Sequence, residues 1–128
     1  MDLILDTHAL VWLLLGDAKL GSAQRQLIEN PENRIFVSAV SIYEIANKFR
    51  IGRMPDAGPI LKLAEDNFSI FDWVLLPINM QHARLAGGLP SPHRDPFDRL
   101  LAAQSLTEKM SLMTRDAEFR VFGVETVW

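Results

Sequence analysis

Short apolar runs recur along the chain, separated by longer stretches whose apolar positions return every three or four residues. Leu3-Ile4-Leu5, Ile35-Phe36-Val37, Val74-Leu75-Leu76, Ser111-Leu112-Met113 and Val124 to Val127 read as strands. The stretches between them carry the period of amphipathic helices. A first helix runs through Ala9 to Leu15 and stops near Gly16. A second runs from Ser22 to about Asn30, with Leu20, Ala23, Leu27 and Ile28 on one face, and Asn30-Pro31-Glu32-Asn33 is a turn. The third starts near Ser38 or Ser41 and reaches Ile51, with Gly52 as its stop. Its apolar stripe is Ile42, Ile45, Ala46 and Phe49, and Ser41, Glu44 and Lys48 share a neighbouring stripe. Pro55 to Pro59 is a linker. A helix from Ile60 to Phe71 then buries Ile60, Leu61, Ala64, Phe68 and Phe71. Met80 to Ala86 is helical and ends at Gly87-Gly88. After the loop from Leu89 to Arg94, Asp95-Pro96 opens a last long helix, with Asp95 as its cap and the proline at its first position.

The strands are continuous apolar runs rather than alternating ones, as expected where both faces are covered. Strands alternating with helices predict a three-layer α/β/α sandwich with a mostly parallel central sheet. No internal repeat or composition shift divides the chain, so residues 1–128 are expected to form one domain.

Composition narrows the chemistry. Hydrophobic residues make up 48% and charged residues 23%, ordinary for a globular protein with a real core. There are no cysteines, which removes disulfides and thiolate metal sites. The longest apolar run, Ala9 to Leu15, is far short of the roughly 20 residues that span a bilayer. Met1-Asp2 lacks the basic opening of a secretory signal, so the expected location is cytoplasmic. The net charge of -3 argues against a protein that coats nucleic acid through bulk positive charge. It leaves room for a nuclease whose acids are concentrated in one pocket.

Several acids stand at related places. Asp6 directly follows the first strand, Asp116 comes three residues after the fourth, and Glu44 lies early in the helix after the second. Asp95 and Asp98 open the helix that precedes the fourth strand. In a parallel sheet the strand carboxyl ends share one edge, where ligands bind. Asp6, Glu44 and Asp116 can converge there, and Asp98 can join them if its helix starts on the same side. Each acid also has a structural role open to it. Asp6 and Asp116 could be caps, and Asp95 and Asp98 suit a helix amino terminus. Glu44 fits a capping box with Ser41 or an ion pair with Lys48. Together the acids point further. Two unit charges about 4 Å apart repel by about 4 kcal/mol at an effective dielectric near 20. A crevice of such carboxylates calls for a cation, and Mg²⁺ or Mn²⁺ prefers oxygen ligands. Such a centre polarises a phosphodiester and activates water.

Leu3-Ile4-Leu5-Asp6-Thr7-His8-Ala9, Val37-Ser38 through Tyr43-Glu44-Ile45, Asp95-Pro96-Phe97-Asp98-Arg99 and Thr114-Arg115-Asp116 resemble PIN-domain proteins. The closer resemblance is to the VapC-type toxins of bacterial toxin–antitoxin pairs, and it covers essentially the whole chain. It implies a PIN-like fold and a magnesium-dependent ribonuclease (or one using Mn²⁺), leaving 5′-phosphate and 3′-hydroxyl ends. The family's metal-binding and catalytic acids map onto Asp6, Glu44, Asp98 and Asp116. Asp95 matches an additional acid, read as an outer-shell group or a cap. Thr7 and Thr114 are candidates for the family's hydroxyl near the metal, and each could instead be a cap. The resemblance further implies a cognate antitoxin and a homodimer.

Beside the acids, Arg94, Arg99, Arg115 and Lys48 could hold an RNA backbone or be plain surface charges. His8 reads as a packing or hydrogen-bonding residue, and His93 as a structural residue of its Pro-rich loop. Trp12, Trp73 and Trp128 are core packing, or Trp12 borders a groove of the first helices that could receive an amphipathic antitoxin segment. Two other readings remain. A signalling receiver domain needs an aspartate ending the third strand and a lysine ending the last, but Leu76-Pro77-Ile78-Asn79 and the absence of lysine after Lys109 do not supply them. A PIN-like module that has lost catalysis would serve only as a binding partner.

Overall fold

The computed structural model describes residues 1–128. Five strands, β1 (Asp2–Leu5), β2 (Arg34–Ser38), β3 (Val74–Leu76), β4 (Ser111–Met113) and β5 (Thr126–Val127), form one sheet in the order β3-β2-β1-β4-β5. Every pairing is parallel. Six α-helices connect them: α1 (Thr7–Leu15), α2 (Ser22–Glu29), α3 (Ala39–Arg50), α4 (Ala57–Ile70), α5 (Met80–Gly88) and α6 (Pro96–Glu108). A 3-10 helix, Ala117–Phe122, joins β4 to β5.

Alternation along the strands splits the core into two layers. Leu3, Leu5, Ile35, Val37 and Met113 point to one face and pack with Leu10, Ile45 and Ile60 from α1, α3 and α4. Ile4, Phe36 and Leu112 point to the other face and meet Leu101 and Ala102 of α6 and Phe119 and Phe122 of the 3-10 helix. Leu3, Ile4 and Leu5 of central β1 are fully buried. A strand covered on both faces must be apolar at successive positions, which explains its unbroken run.

The register sets the functional edge. Leu5 lies level with Val37 on one side and Met113 on the other, Ser38 pairs with Leu76, and Met113 with Val127. One residue further, the row across the carboxyl edge therefore reads Leu76, Ser38, Asp6, Thr114 and Trp128.

Several boundaries differ from the sequence reading. Helix α4 begins at Ala57 rather than Ile60, because Pro59 falls in the first turn, where its missing N–H removes no helical bond. Helix α3 is capped by Ser38, whose hydroxyl accepts from the Val40 N–H. The Ser41–Glu44 capping box is therefore absent, and Ser41 is buried inside the helix. The core-facing positions of α3 are Val40, Ser41 and Ile45, while Ala46 and Phe49 are exposed. Phe71 is exposed against Trp73 rather than buried. Val74 and Leu75 are also exposed, because β3 is an edge strand. The last strand is two residues long, since Gly123 turns the chain at φ +75° and Val124 enters the core before pairing begins.

Candidate active site

Asp6 follows the central strand and is buried at 5% exposure. Its Oδ1 accepts from the Ala9 N–H at 2.7 Å, which caps α1, and its Oδ2 accepts from the Thr114 hydroxyl at 2.6 Å. Burial pushes the Asp6 carboxyl above its ordinary range, and the Thr114 and Ala9 donors only partly offset this. The nearby Asp116 charge pushes it up further, against the opposing influence of His8. Thr114 is itself held in place, because its Oγ1 accepts from the Asp116 N–H at 3.0 Å. The Asp116 carboxylate is exposed and caps the 3-10 helix through the Glu118 N–H at 2.9 Å.

Asp98 stands at the third position of α6, half-buried, 2.9 Å from His93 Nε2. Desolvation raises its carboxyl above the ordinary value and outweighs the His93 bond; the charges of Asp95 and Glu44 add to the rise. The same contact raises His93, whose Nδ1 lies 3.5 Å from Glu118. A hydrogen-bonded pair would ordinarily push its two members in opposite directions, and burial of the carboxylate is what carries Asp98 upward. His93 thus links the start of α6 to the 3-10 helix, a role that its loop position in the sequence did not reveal. Glu44 pairs with Lys48 at 2.9 Å, the i, i+4 ion pair open to it from the sequence.

Asp95 is the cap of α6: its Oδ1 accepts from the Phe97 N–H at 2.9 Å and the Asp98 N–H at 3.4 Å. Thr7 donates to Ser41 Oγ at 2.9 Å and ties α1 to α3. Arg99 is turned inward. Its guanidinium donates to the carbonyls of Ala86, Leu89, Ser91 and His93 at 2.6–3.1 Å and lies over the Phe122 ring. It staples the loop that carries His93, leaving little donor capacity for a ligand. Arg94 and Arg115 are exposed at the same end.

Sequence reasoning missed Gln104 and its bond to Ser38, which it had named only as a possible helix start. Gln104 is fully buried, receives the Ser38 hydroxyl at 2.5 Å and donates to the Pro77 carbonyl at 3.2 Å. It locks α6 to the ends of β2 and β3. The available signal was a glutamine directly after the apolar run Leu100 to Ala103, on a helix whose neighbouring positions are buried, since buried amides occur where they are satisfied.

An apolar groove of about 680 Å³ opens at the opposite edge, lined by Leu13, Leu14, Ile28, Ile70, Phe71 and Trp73 among others. Trp12 does not line it. Its ring lies near His8, Arg115 and Trp128 instead.

The PIN domain family model matches residues 3–125. The chain belongs to the PIN-domain family. PIN domains are generally nucleases that use divalent metal ions. No curated protein matches the chain in sequence. Among solved structures, this PIN domain is similar to a chain of VapBC2 from Rickettsia felis bound to a DNA fragment from their promoter. The TM-score is 0.72 at 15% identity, over 100% of this chain and 98% of that one. It is also similar to a chain of FitAcB from Neisseria gonorrhoeae (TM-score 0.66, 16% identity, 98% and 96% covered). A domain of a functionally unknown protein from Methanocaldococcus jannaschii gives a TM-score of 0.62 at 14% identity, covering 99% and 89%.

The donor set of this PIN domain suits a hard divalent cation in its chemistry: four carboxylates, two of them raised by burial. Asp6 feels the charge of Asp116, and Asp98 those of Asp95 and Glu44, but no three His, Asp or Glu side chains gather into a cation-holding cluster. Lys48 lies against Glu44 as a counter-charge, and His93 Nε2 lies against Asp98. No helix is long and apolar enough to cross a membrane.

Proposed function

We propose that this PIN domain, as a single 1–128 unit, is a Mg²⁺-dependent endoribonuclease and the toxin of a toxin–antitoxin pair, acting in the cytoplasm. The observation that carries the reading is Asp6, a buried carboxylate anchored by Thr114 at the sheet's carboxyl edge, with Asp116 close by. Burying the Asp6 carboxylate beside a second acid is unfavourable beyond what its two donors offset, and a cation would compensate it.

Asp6, Glu44, Asp98 and Asp116 are the residues that would hold Mg²⁺ or Mn²⁺. The ion, when bound, supplies polarisation of the phosphodiester and an acidified water. Thr114 fixes the orientation of the Asp6 carboxylate, and His93 fixes that of Asp98. Asp95 acts one step further out, by starting the helix that presents Asp98. Arg94 and Arg115 contact the RNA backbone, and Arg99 shapes the loop between them and α5. Hydrolysis leaves 5′-phosphate and 3′-hydroxyl ends.

The toxin role draws support from VapBC2 and FitAcB, which are toxin–antitoxin complexes that share the fold. The partner is accordingly a cognate antitoxin, with the Leu13–Trp73 groove as the surface for its apolar segment, and the active unit is a homodimer.

The test is cleavage of a defined RNA by the purified protein in Mg²⁺ and then in EDTA, together with calorimetry of Mg²⁺ binding. Cleavage that EDTA stops is expected. No cleavage of any RNA tried, combined with no Mg²⁺ binding, would leave a PIN-like binding module instead.

A further inference from the structure

Of the four acids assigned to the cation, only Glu44 has a lysine or arginine against it. Asp6 is held by Thr114 and the Ala9 N–H, Asp98 lies against His93, and Asp116 accepts from the Glu118 N–H. Glu44 Oε2 lies 2.9 Å from Lys48 Nζ, and Lys48 is its one charged partner. The pair is sheltered. Its side chains are 29% and 13% exposed, whereas those of the other i, i+4 pair, Lys62–Asp66, are 70% and 48% exposed. An ion pair out in solvent is screened and worth little, and a sheltered one is screened much less.

The pair belongs to the acidic edge. Ser41, one turn before Glu44 on α3, receives the hydroxyl of Thr7, the residue after Asp6. On the other side, the charge of Glu44 reaches Asp98 and adds to the rise of its carboxyl. Lys48 therefore brings a positive charge to the acids that a divalent ion has to share. The glutamate precedes the lysine by four residues, the order that favours a helical pair, so α3 itself holds the ammonium there.

We propose that Lys48 is the resident counter-charge of Glu44 and competes with the divalent cation for that carboxylate, so that Lys48 sets how tightly the site binds metal. The proposal rests on the metal-dependent reading above. It makes Lys48 a positioning residue that acts through Glu44 rather than a cation that contacts RNA. A lysine suits the task, because its compact ammonium sits on a flexible four-carbon stem that can swing aside. Without that charge, Glu44 is an unpaired acid beside Asp98, and a divalent ion gains the whole of its attraction.

The test is titration of the metal-stripped protein with Mn²⁺ and no RNA, followed by calorimetry and by the paramagnetic resonance of free Mn²⁺. Lys48→Met keeps the apolar stem and removes the charge, and Lys48→Gln is a second neutral variant. Both should bind Mn²⁺ about tenfold more tightly than wild type. Lys48→Arg keeps the charge and should stay close to wild type, and Lys62→Met, in the exposed pair, should leave the affinity unchanged. Tighter binding adds more to stability, so Mn²⁺ should raise the melting temperature of Lys48→Met more than that of wild type. Melts without metal confirm that the variants are folded. Unchanged or weaker Mn²⁺ affinity in both neutral variants overturns the competition and leaves Lys48 a helix-stabilising ion pair. No Mn²⁺ binding by wild type or by either neutral variant overturns this proposal and the metal-dependent reading together. Cleavage of RNA in Mg²⁺ is read separately: tightened Mn²⁺ binding without any wild-type cleavage overturns the nuclease reading alone.

Discussion

Thr114 donates its hydroxyl to Asp6 Oδ2 at 2.6 Å, joining two residues 108 positions apart. The two strands that carry them are neighbours in the sheet, so the bond spans one strand spacing. A donor to a carboxylate favours its ionised form, and Thr114 holds the Asp6 carboxyl lower than burial alone would. Thr114→Val keeps the shape and removes the donor. Cleavage is expected to fall by about 10- to 100-fold, with the acid limb of the pH–rate profile moved to higher pH. Thr114→Ser should restore both, and kcat measured across pH decides.

Asp95 and Asp98 should separate cleanly. Asp95→Ala removes the α6 cap and costs about 1 kcal/mol, with cleavage kept within several-fold of wild type. Asp98→Asn should lower cleavage by about 100-fold or more while the protein stays folded. Denaturant titration and a single-turnover assay on the same preparations give both numbers. Wild-type turnover in Asp98→Asn would remove this residue from the proposed ligand set.

Arg99 is expected to matter for stability before activity. Arg99→Ala leaves the Ala86 carbonyl of α5 and three loop carbonyls without their donor and should cost about 2–4 kcal/mol. Arg99→Lys should recover little, because one ammonium cannot reproduce a planar fork that spans several acceptors. Chemical denaturation of the two variants checks this.

The raised acids have a defined pH signature. A carboxyl whose folded pKa lies above its unfolded value stabilises the fold fully at pH below 3.8, and this contribution is lost as pH rises through the raised value. His93 acts in the same direction in its own window: its contribution is complete below 6.5 and is lost as pH climbs through its raised value. Asp6→Asn removes the first effect. The variant should be inactive yet lose less stability than wild type as pH rises out of the acid range. Thermal melts across pH, without divalent metal, provide the measurement.

Gln104→Leu should be destabilising by about 1–3 kcal/mol despite its apolar replacement. It leaves the Ser38 hydroxyl and the Pro77 carbonyl without their buried partner. Because Gln104 holds α6 against the sheet edge, cleavage should drop as well, and melting and turnover measured together test the link.

Much of the fold could be read along the chain because its signals are local. Leu3-Ile4-Leu5 announces a strand buried on both faces, and Gly16, at φ +67°, stops α1 where expected. Asp95-Pro96 starts α6 as its spacing predicts. The misreadings came where distant groups decide the outcome. Phe71 has the right period for burial, yet it ends α4 at the open groove, where only Trp73 lies against its ring. Of the two serines that could start α3, Ser38 ends β2 and takes the Val40 N–H, which leaves Ser41 inside the helix.

The candidate site divides the same way. Sequence alone determined which acids follow strands or open helices, because strand ends and caps are written in residue type and spacing. Only the tertiary structure decided their partners: Asp6 with Thr114, Asp98 with His93, and Arg99 with the carbonyls of Ala86, Leu89, Ser91 and His93. It also decided that Trp12 faces Arg115 and Trp128 rather than the Leu13–Trp73 groove. Those contacts depend on strand order and on which helix covers which face of the sheet. Both are set by packing between segments far apart in the chain, which no local pattern encodes.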